Sequence, residues 1–114
     1  NAKQNHPVVN EVEEITTSIG YIRGTLHSKA STQYRIELYL SPVCRTEAYD
    51  GKYLGYGNTT TNASGNASFE IMYIEELTGH CISATATDLA TMDTSEFSPG
   101  FSLLGAVYLP VVRK

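Results

Sequence analysis

Apolar and polar residues alternate with period two along several stretches of the chain, and no stretch sustains a helical repeat. Turn-forming residues interrupt the alternation every eight to twelve positions, a rhythm that predicts an all-β fold. The clearest strand runs from Gln33 to Leu40: Tyr34, Ile36, Leu38 and Leu40 fall on one face, Arg35, Glu37 and Tyr39 on the other. The polar cluster from Asn62 to Asn66 separates a Thr-rich run from Ala67, Phe69, Ile71 and Tyr73 at alternate positions, and reads as a β-hairpin. From Cys81 to Thr87, Ile82, Ala84 and Ala86 share one face and Ser83, Thr85 and Thr87 the other, as suits a central strand with a small, polar second face.

Two earlier runs joined through Gly20 and a short late run before Pro99 bring the expected strands to seven, at 11–18, 20–27, 33–41, 53–61, 66–73, 80–87 and 94–98. Seven short strands with this spacing predict an antiparallel immunoglobulin-like Greek-key β-sandwich. The chain divides into an entry segment (1–10), one sandwich domain (11–100) and a C-terminal tail (101–114). Its 114 residues suffice for one core, since a domain of this size removes roughly two-thirds of its unfolded surface from water. The chain opens on Asn1 rather than a start methionine, which predicts a piece of a longer or processed product.

Two cysteines allow one bridge. In such a sandwich the strands at 33–41 and 80–87 are antiparallel neighbours, so Cys44, just past the end of one, lies near Cys81, at the start of the other. A Cys44–Cys81 disulfide is therefore geometrically natural; two reduced thiols packed near each other are the alternative, and the redox compartment decides.

Charge and hydropathy narrow the partners. Eight basic residues, six of them single and two adjacent at Arg113-Lys114, stand against twelve acidic ones, for a net charge of −4, whereas a nucleic-acid binder concentrates its cations. No nucleic-acid partner is expected. The longest apolar stretch, Phe101 to Val112, is broken by Ser102, Gly105 and Pro110 and falls short of the roughly 20 residues of a membrane helix.

Candidate chemistry is sparse. His6, His27 and His80 are dispersed, and no pair sits at i, i+2 or i, i+4, so neither a catalytic site nor an imidazole metal pair is expected. Asp88, Asp93 and Glu96 bracket one turn and offer the oxygen donors calcium prefers, although three carboxylates over nine residues also describe an ordinary solvated turn. The adjacent acids Glu13-Glu14 and Glu75-Glu76 face opposite sides of a strand and cannot share a glycosidase cleft. Eight tyrosines and no tryptophan admit stacking on a sugar ring, with Tyr39, Tyr49, Tyr53 and Tyr56 as the candidate cluster. No cofactor is implied.

An ordered set of segments carries a resemblance. Gln4-Asn5-His6-Pro7-Val8, Gly24-Thr25-Leu26, the run from Tyr34 to Tyr39, Tyr53-Leu54-Gly55, the run from Asn62 to Phe69, and Ile82 to Asp88 followed by Thr94-Ser95-Glu96-Phe97-Ser98 occur in this order. Together they resemble an immunoglobulin-like module of bacterial secreted and surface proteins, which ends in "ATATD…TSEFS" and often follows a right-handed parallel β-helix. The turn after Asp88 is one residue longer than the family's and lacks its glycine. The resemblance implies a secreted or cell-surface location, which favours the Cys44–Cys81 bridge, and no catalytic motif. The end of the tail, Ala106-Val107-Tyr108-Leu109-Pro110-Val111-Val112-Arg113-Lys114, looks like the terminus of some bacterial exported proteins and implies a sorting or anchoring role; an extra edge strand is the alternative.

The expectation is thus a non-catalytic structural or interaction module of an exported bacterial surface protein. Its partners would be other domains of the same chain, or a protein or glycan at the cell surface. A carbohydrate-binding module using the tyrosines is the alternative.

Overall fold

The computed structural model describes residues 5–42 and 52–102. They form seven strands: β1 (Val8–Thr16), β2 (Ile19–His27), β3 (Gln33–Ser41), β4 (Lys52–Thr60), β5 (Asn66–Ile74), β6 (Cys81–Asp88) and β7 (Phe101–Ser102). One antiparallel sheet has the order β1-β2-β5, the other β4-β3-β6-β7, and the two pack face to face. This is an immunoglobulin-like Greek-key sandwich. Among the described residues no helix is long and apolar enough to cross a membrane.

Period-two alternation drives the packing. Ile22 and Leu26 of β2, and Phe69, Ile71 and Tyr73 of β5, point inward against Tyr34, Ile36, Leu38 and Leu40 of β3 and Ile82, Ala84 and Ala86 of β6. Ile22, Ile36, Leu38 and Ile82 are wholly excluded from solvent, and each such side chain contributes about 1.5–3 kcal/mol relative to exposure. The Tyr34 ring closes one end of this core; its hydroxyl donates to Ser28 Oγ at 2.9 Å and accepts from the Lys29 amide at 3.2 Å.

Three strand expectations need correction. Gly20 does not join the first two strands, which turn at Thr17-Ser18; it lies within β2, opposite Tyr73. A Cβ at Gly20 would meet the Tyr73 hydroxyl at 2.6 Å, so the position is kept bare for the ring. The same device recurs at Gly24 beneath Phe69.

The segment 62–66 is not a hairpin turn, because β4 and β5 belong to different sheets. Asn62 does build a tight local turn, accepting on Oδ1 from the amides of Ser64 and Asn66. Thr61, however, ties β4 to the β2–β3 loop: its hydroxyl donates to Lys29 O at 2.5 Å and accepts from the Thr32 amide at 2.9 Å. The chain therefore arches from one sheet to the other, with Gly65 in the left-handed region at φ 84°.

The segment 94–98 is not a ladder strand either. It makes one bridge, Thr87 to Thr94, and then runs beside β6 held by the amides and hydroxyls of Ser95 and Ser98. Pro99 has no amide to donate, and regular pairing resumes at β7, where Phe101 faces Ile82 and Ser102 faces Cys81. The tail thus begins with an edge strand; residues 103–114, including the segment read as a sorting or anchoring signal, lie outside the described residues. At the other end of the chain β1 starts at Val8, within the expected entry segment.

Candidate functional site

The outer face of the four-stranded sheet gathers the aromatic candidates. Register places Tyr39 of β3 opposite Tyr53 of β4, and Glu37 opposite Tyr56. A bulge between Leu38 and Tyr39 makes this possible: it inserts Leu54, so that Tyr53 and Tyr56, three residues apart, share one face. Tyr39 and Tyr53 meet edge to face with centroids 5.7 Å apart, and Arg35 stacks on Tyr56 with its guanidinium carbon 4.2 Å from the ring centroid.

On its other side Tyr39 meets Phe97, edge to face at 5.2 Å. This cover explains why the small face of β6 is buried: Ser83 and Thr85 lie at most 5% exposed. Burial pushes the phenols of Tyr39 and Tyr53 above their ordinary range, and the neighbouring Glu37 carboxylate adds to the effect in both. Tyr53 and Tyr56 remain about half exposed, at 49% and 51%. Three of the four candidate tyrosines are thus brought together, while Tyr49 lies outside the described residues. Arg35 and Phe97, which complete the cluster, were not singled out by sequence; the alternation that places Arg35 beside Tyr39 on one face of β3 was the available signal for the first.

Asp88, at the end of β6, and Asp93, in the turn after it, are each engaged in local contacts. Asp88 is 1% exposed; its Oδ1 accepts from the Ala90 amide at 2.8 Å and the Thr91 amide at 3.3 Å, and its Oδ2 pairs with Lys29. The Lys29 ammonium, helped by these amides, holds the Asp88 carboxyl below its ordinary value against the effect of burial. Asp93 accepts from the Thr91 hydroxyl at 2.9 Å, and Glu96 is exposed. Among the described residues no three His, Cys, Asp or Glu side chains cluster as a metal site.

Cys81 opens β6, buried and opposite Ser41 at the end of β3. Cys44, three residues beyond Ser41, lies outside the described residues.

The outer face of the three-stranded sheet carries a charged cluster and an apolar row that spacing along the chain does not mark. Arg23 is held by three glutamates, from Nη1 to Glu11 at 3.2 Å, from Nη2 to Glu13 at 2.6 Å and from Nε to Glu70 at 2.7 Å. Beside it the pairs Tyr21–Met72 and Ile19–Ile74 face solvent, with Met72 54% and Ile74 68% exposed, and Ile15 stands exposed at the adjoining bulge of β1. No family model and no curated protein matches the sequence.

Proposed function

We propose that the chain is a non-catalytic structural and interaction module of an exported bacterial surface protein, closed by a Cys44–Cys81 disulfide. One observation carries this reading: the uncharged row of Ile15, Ile19, Met72 and Ile74 on an open sheet face. Contiguous exposed apolar surface of this kind marks a contact face, whereas scattered single residues do not. The row borders the Arg23 cluster, in which one cation meets three carboxylates and the balance is acidic. Its complement is an apolar surface with a basic margin, which we assign to another part of the same exported chain. The resemblance to bacterial surface modules and the engagement of Asp88, Ser95, Ser98 and Thr61 in pinning strands support the scaffold role.

The two methionines supply the test. Met72 lies in the row and Met92 in the remote turn after β6, both more than half exposed. Under mild peroxide, Met72 is expected to be oxidised more slowly in the full-length exported chain than in the 114-residue module, and Met92 to react equally in both. Equal rates at Met72 would remove the contact face.

A second reading, carbohydrate binding, is favoured by the exposure of Tyr53 and Tyr56 beside Arg35 and Glu37. Affinity electrophoresis in polysaccharide gels tests it: retardation that vanishes in Tyr53→Ala and Tyr56→Ala supports binding, and unretarded wild-type protein ends it.

A further inference from the structure

The three histidines divide between the two ends of the sandwich. His80 lies just before Cys81, with its Nδ1 3.0 Å from Thr78 O. His6 and His27 instead line one groove at the opposite end, together with Asn5, Val8 and Asn66.

Register explains the meeting. Val8 faces Thr25 and Val9 faces Gly24, so the same antiparallel count carried back along the entry segment sets His6 opposite His27. Alternation agrees: Pro7 and Val9 are buried while His6 and Val8 are exposed, which places His6 on the outer face that His27 shares with Thr25. Asn5 confirms the close approach by donating from Nδ2 to His27 O at 2.6 Å. Directly opposed residues of an antiparallel pair hold their Cβ atoms about 4.5–5.5 Å apart, within which two imidazoles can reach a common ion at about 2.0–2.1 Å from each nitrogen.

The hydrogen bonds also fix which nitrogen is available. His6 Nδ1 lies 3.0 Å from Pro7 O, and His27 Nδ1 lies 2.7 Å from Asn66 Oδ1. Both partners are carbonyl oxygens, which only accept, so the neutral form of each ring carries its proton on Nδ1 and has Nε2 as its lone-pair nitrogen. A hydrogen bond from the far nitrogen to a carbonyl is the outer contact that orients metal-ligating histidines.

We propose that His6 and His27 form a two-imidazole binding site for a late first-row divalent cation such as Cu²⁺, Ni²⁺ or Zn²⁺. Imidazole nitrogen selects these ions over Ca²⁺ and Mg²⁺, which take oxygen donors, and Cu²⁺ binds most tightly of the series. With two protein ligands the remaining coordination positions are open, and the ion can accept a further ligand from a partner molecule. Residue spacing along one strand does not report a histidine pair formed by neighbours across a ladder.

Calorimetric titration of the 114-residue chain, without an added histidine tag, with CuSO₄, NiCl₂, ZnCl₂ and CaCl₂ tests the site. The expected result is one equivalent of saturable Cu²⁺ binding, weaker Ni²⁺ and Zn²⁺ binding and no Ca²⁺ binding. His6→Ala and His27→Ala each weaken Cu²⁺ binding at least tenfold, and His80→Ala leaves it unchanged. Asn66→Ala weakens it by about 10–100-fold, the usual effect of removing the outer hydrogen-bond partner of a ligand. Circular dichroism of each variant confirms that the fold is kept, and His27→Gln provides a near-isosteric replacement should His27→Ala unfold. Absence of saturable binding, or binding that survives the His6/His27 double variant, overturns the proposal.

Discussion

Ser98 grips Ala84 by both of its backbone groups: its amide donates to Ala84 O at 2.8 Å, and its hydroxyl oxygen accepts from the Ala84 amide at 2.9 Å. Ser95 repeats the grip on Ala86 at 2.8 and 2.9 Å. Three residues of the late segment thus span two of β6, and a serine oxygen takes the place that a strand carbonyl would hold. Replacing either serine by alanine leaves a buried amide without its acceptor, at a cost of about 1–3 kcal/mol. Urea unfolding of Ser95→Ala and Ser98→Ala is expected to give lower midpoints with an unchanged slope. Wild-type midpoints would show that water or backbone replaces the hydroxyls.

Gly24 predicts a loss of stability from an added methyl group. A Cβ there would meet Val8 O at 2.2 Å and Phe69 Cζ at 2.4 Å. The backbone oxygen cannot retreat without disturbing the β1–β2 ladder, so Gly24→Ala is expected to cost about 1–3 kcal/mol, as overpacking does. At Gly55 a Cβ would meet nothing within 4 Å, but its φ of 156° disfavours side chains, so it is no clean control; the comparison belongs with Phe69→Leu in the Gly24→Ala background. The smaller side chain is expected to recover part of the lost unfolding midpoint.

The Asp88–Lys29 pair sets a pH window. The Asp88 carboxyl is lowered from 3.8, chiefly by Lys29, so its contribution is present above that value and is lost as pH falls through the folded pKa. The Lys29 ammonium is raised from 10.5, chiefly by Asp88, so its contribution is present below that value and is lost as pH rises through the folded pKa. Tyr39 and Tyr53, both raised from 10.0, add to the loss on the alkaline side. Lys29→Met removes the cation from a buried carboxylate and is expected to move the acid unfolding midpoint upward. An acid limb that coincides with wild type would dismiss the pair as a stabilising contact.

The Cys44–Cys81 bridge would close a loop that spans β4 and β5, and the chain-entropy model gives it about 4 kcal/mol. Mass spectrometry of the non-reduced chain is expected to find no thiol open to alkylation. Reduction is then expected to lower the unfolding midpoint, and Cys44→Ser to do so equally. Two alkylated cysteines in the native protein would refute the bridge.

The β3 and β6 strands were legible because their alternation is uninterrupted and their apolar sets are large: Tyr34 to Leu40, and Ile82 to Ala86, each face one core. Boundaries and connections were harder. The pattern around Asn62 encodes a tight turn, and the turn exists, but only Thr61's contacts to Lys29 and Thr32 reveal that the two strands part into different sheets. Alternation also fails to distinguish a ladder strand from Thr94–Ser98, where serine hydroxyls stand in for strand carbonyls. The tyrosine cluster was half visible, since Tyr39 was placed on the outer face but the bulge that aligns Tyr53 with Tyr56 has no sequence marker besides Gly55. The His6–His27 meeting depends on register between strands, which spacing along one strand does not report.

Val8 enters at the end of the sandwich marked by His27, and β7 leaves beside Cys81 at the other. A pull between these points would run along the strands and load the rungs of β1–β2 and β6–β7 sideways, several at once, instead of peeling them singly. The serine grips on Ala84 and Ala86 lengthen the second seam beyond the two residues of β7. Held at these two points, such a unit would resist tension by shear.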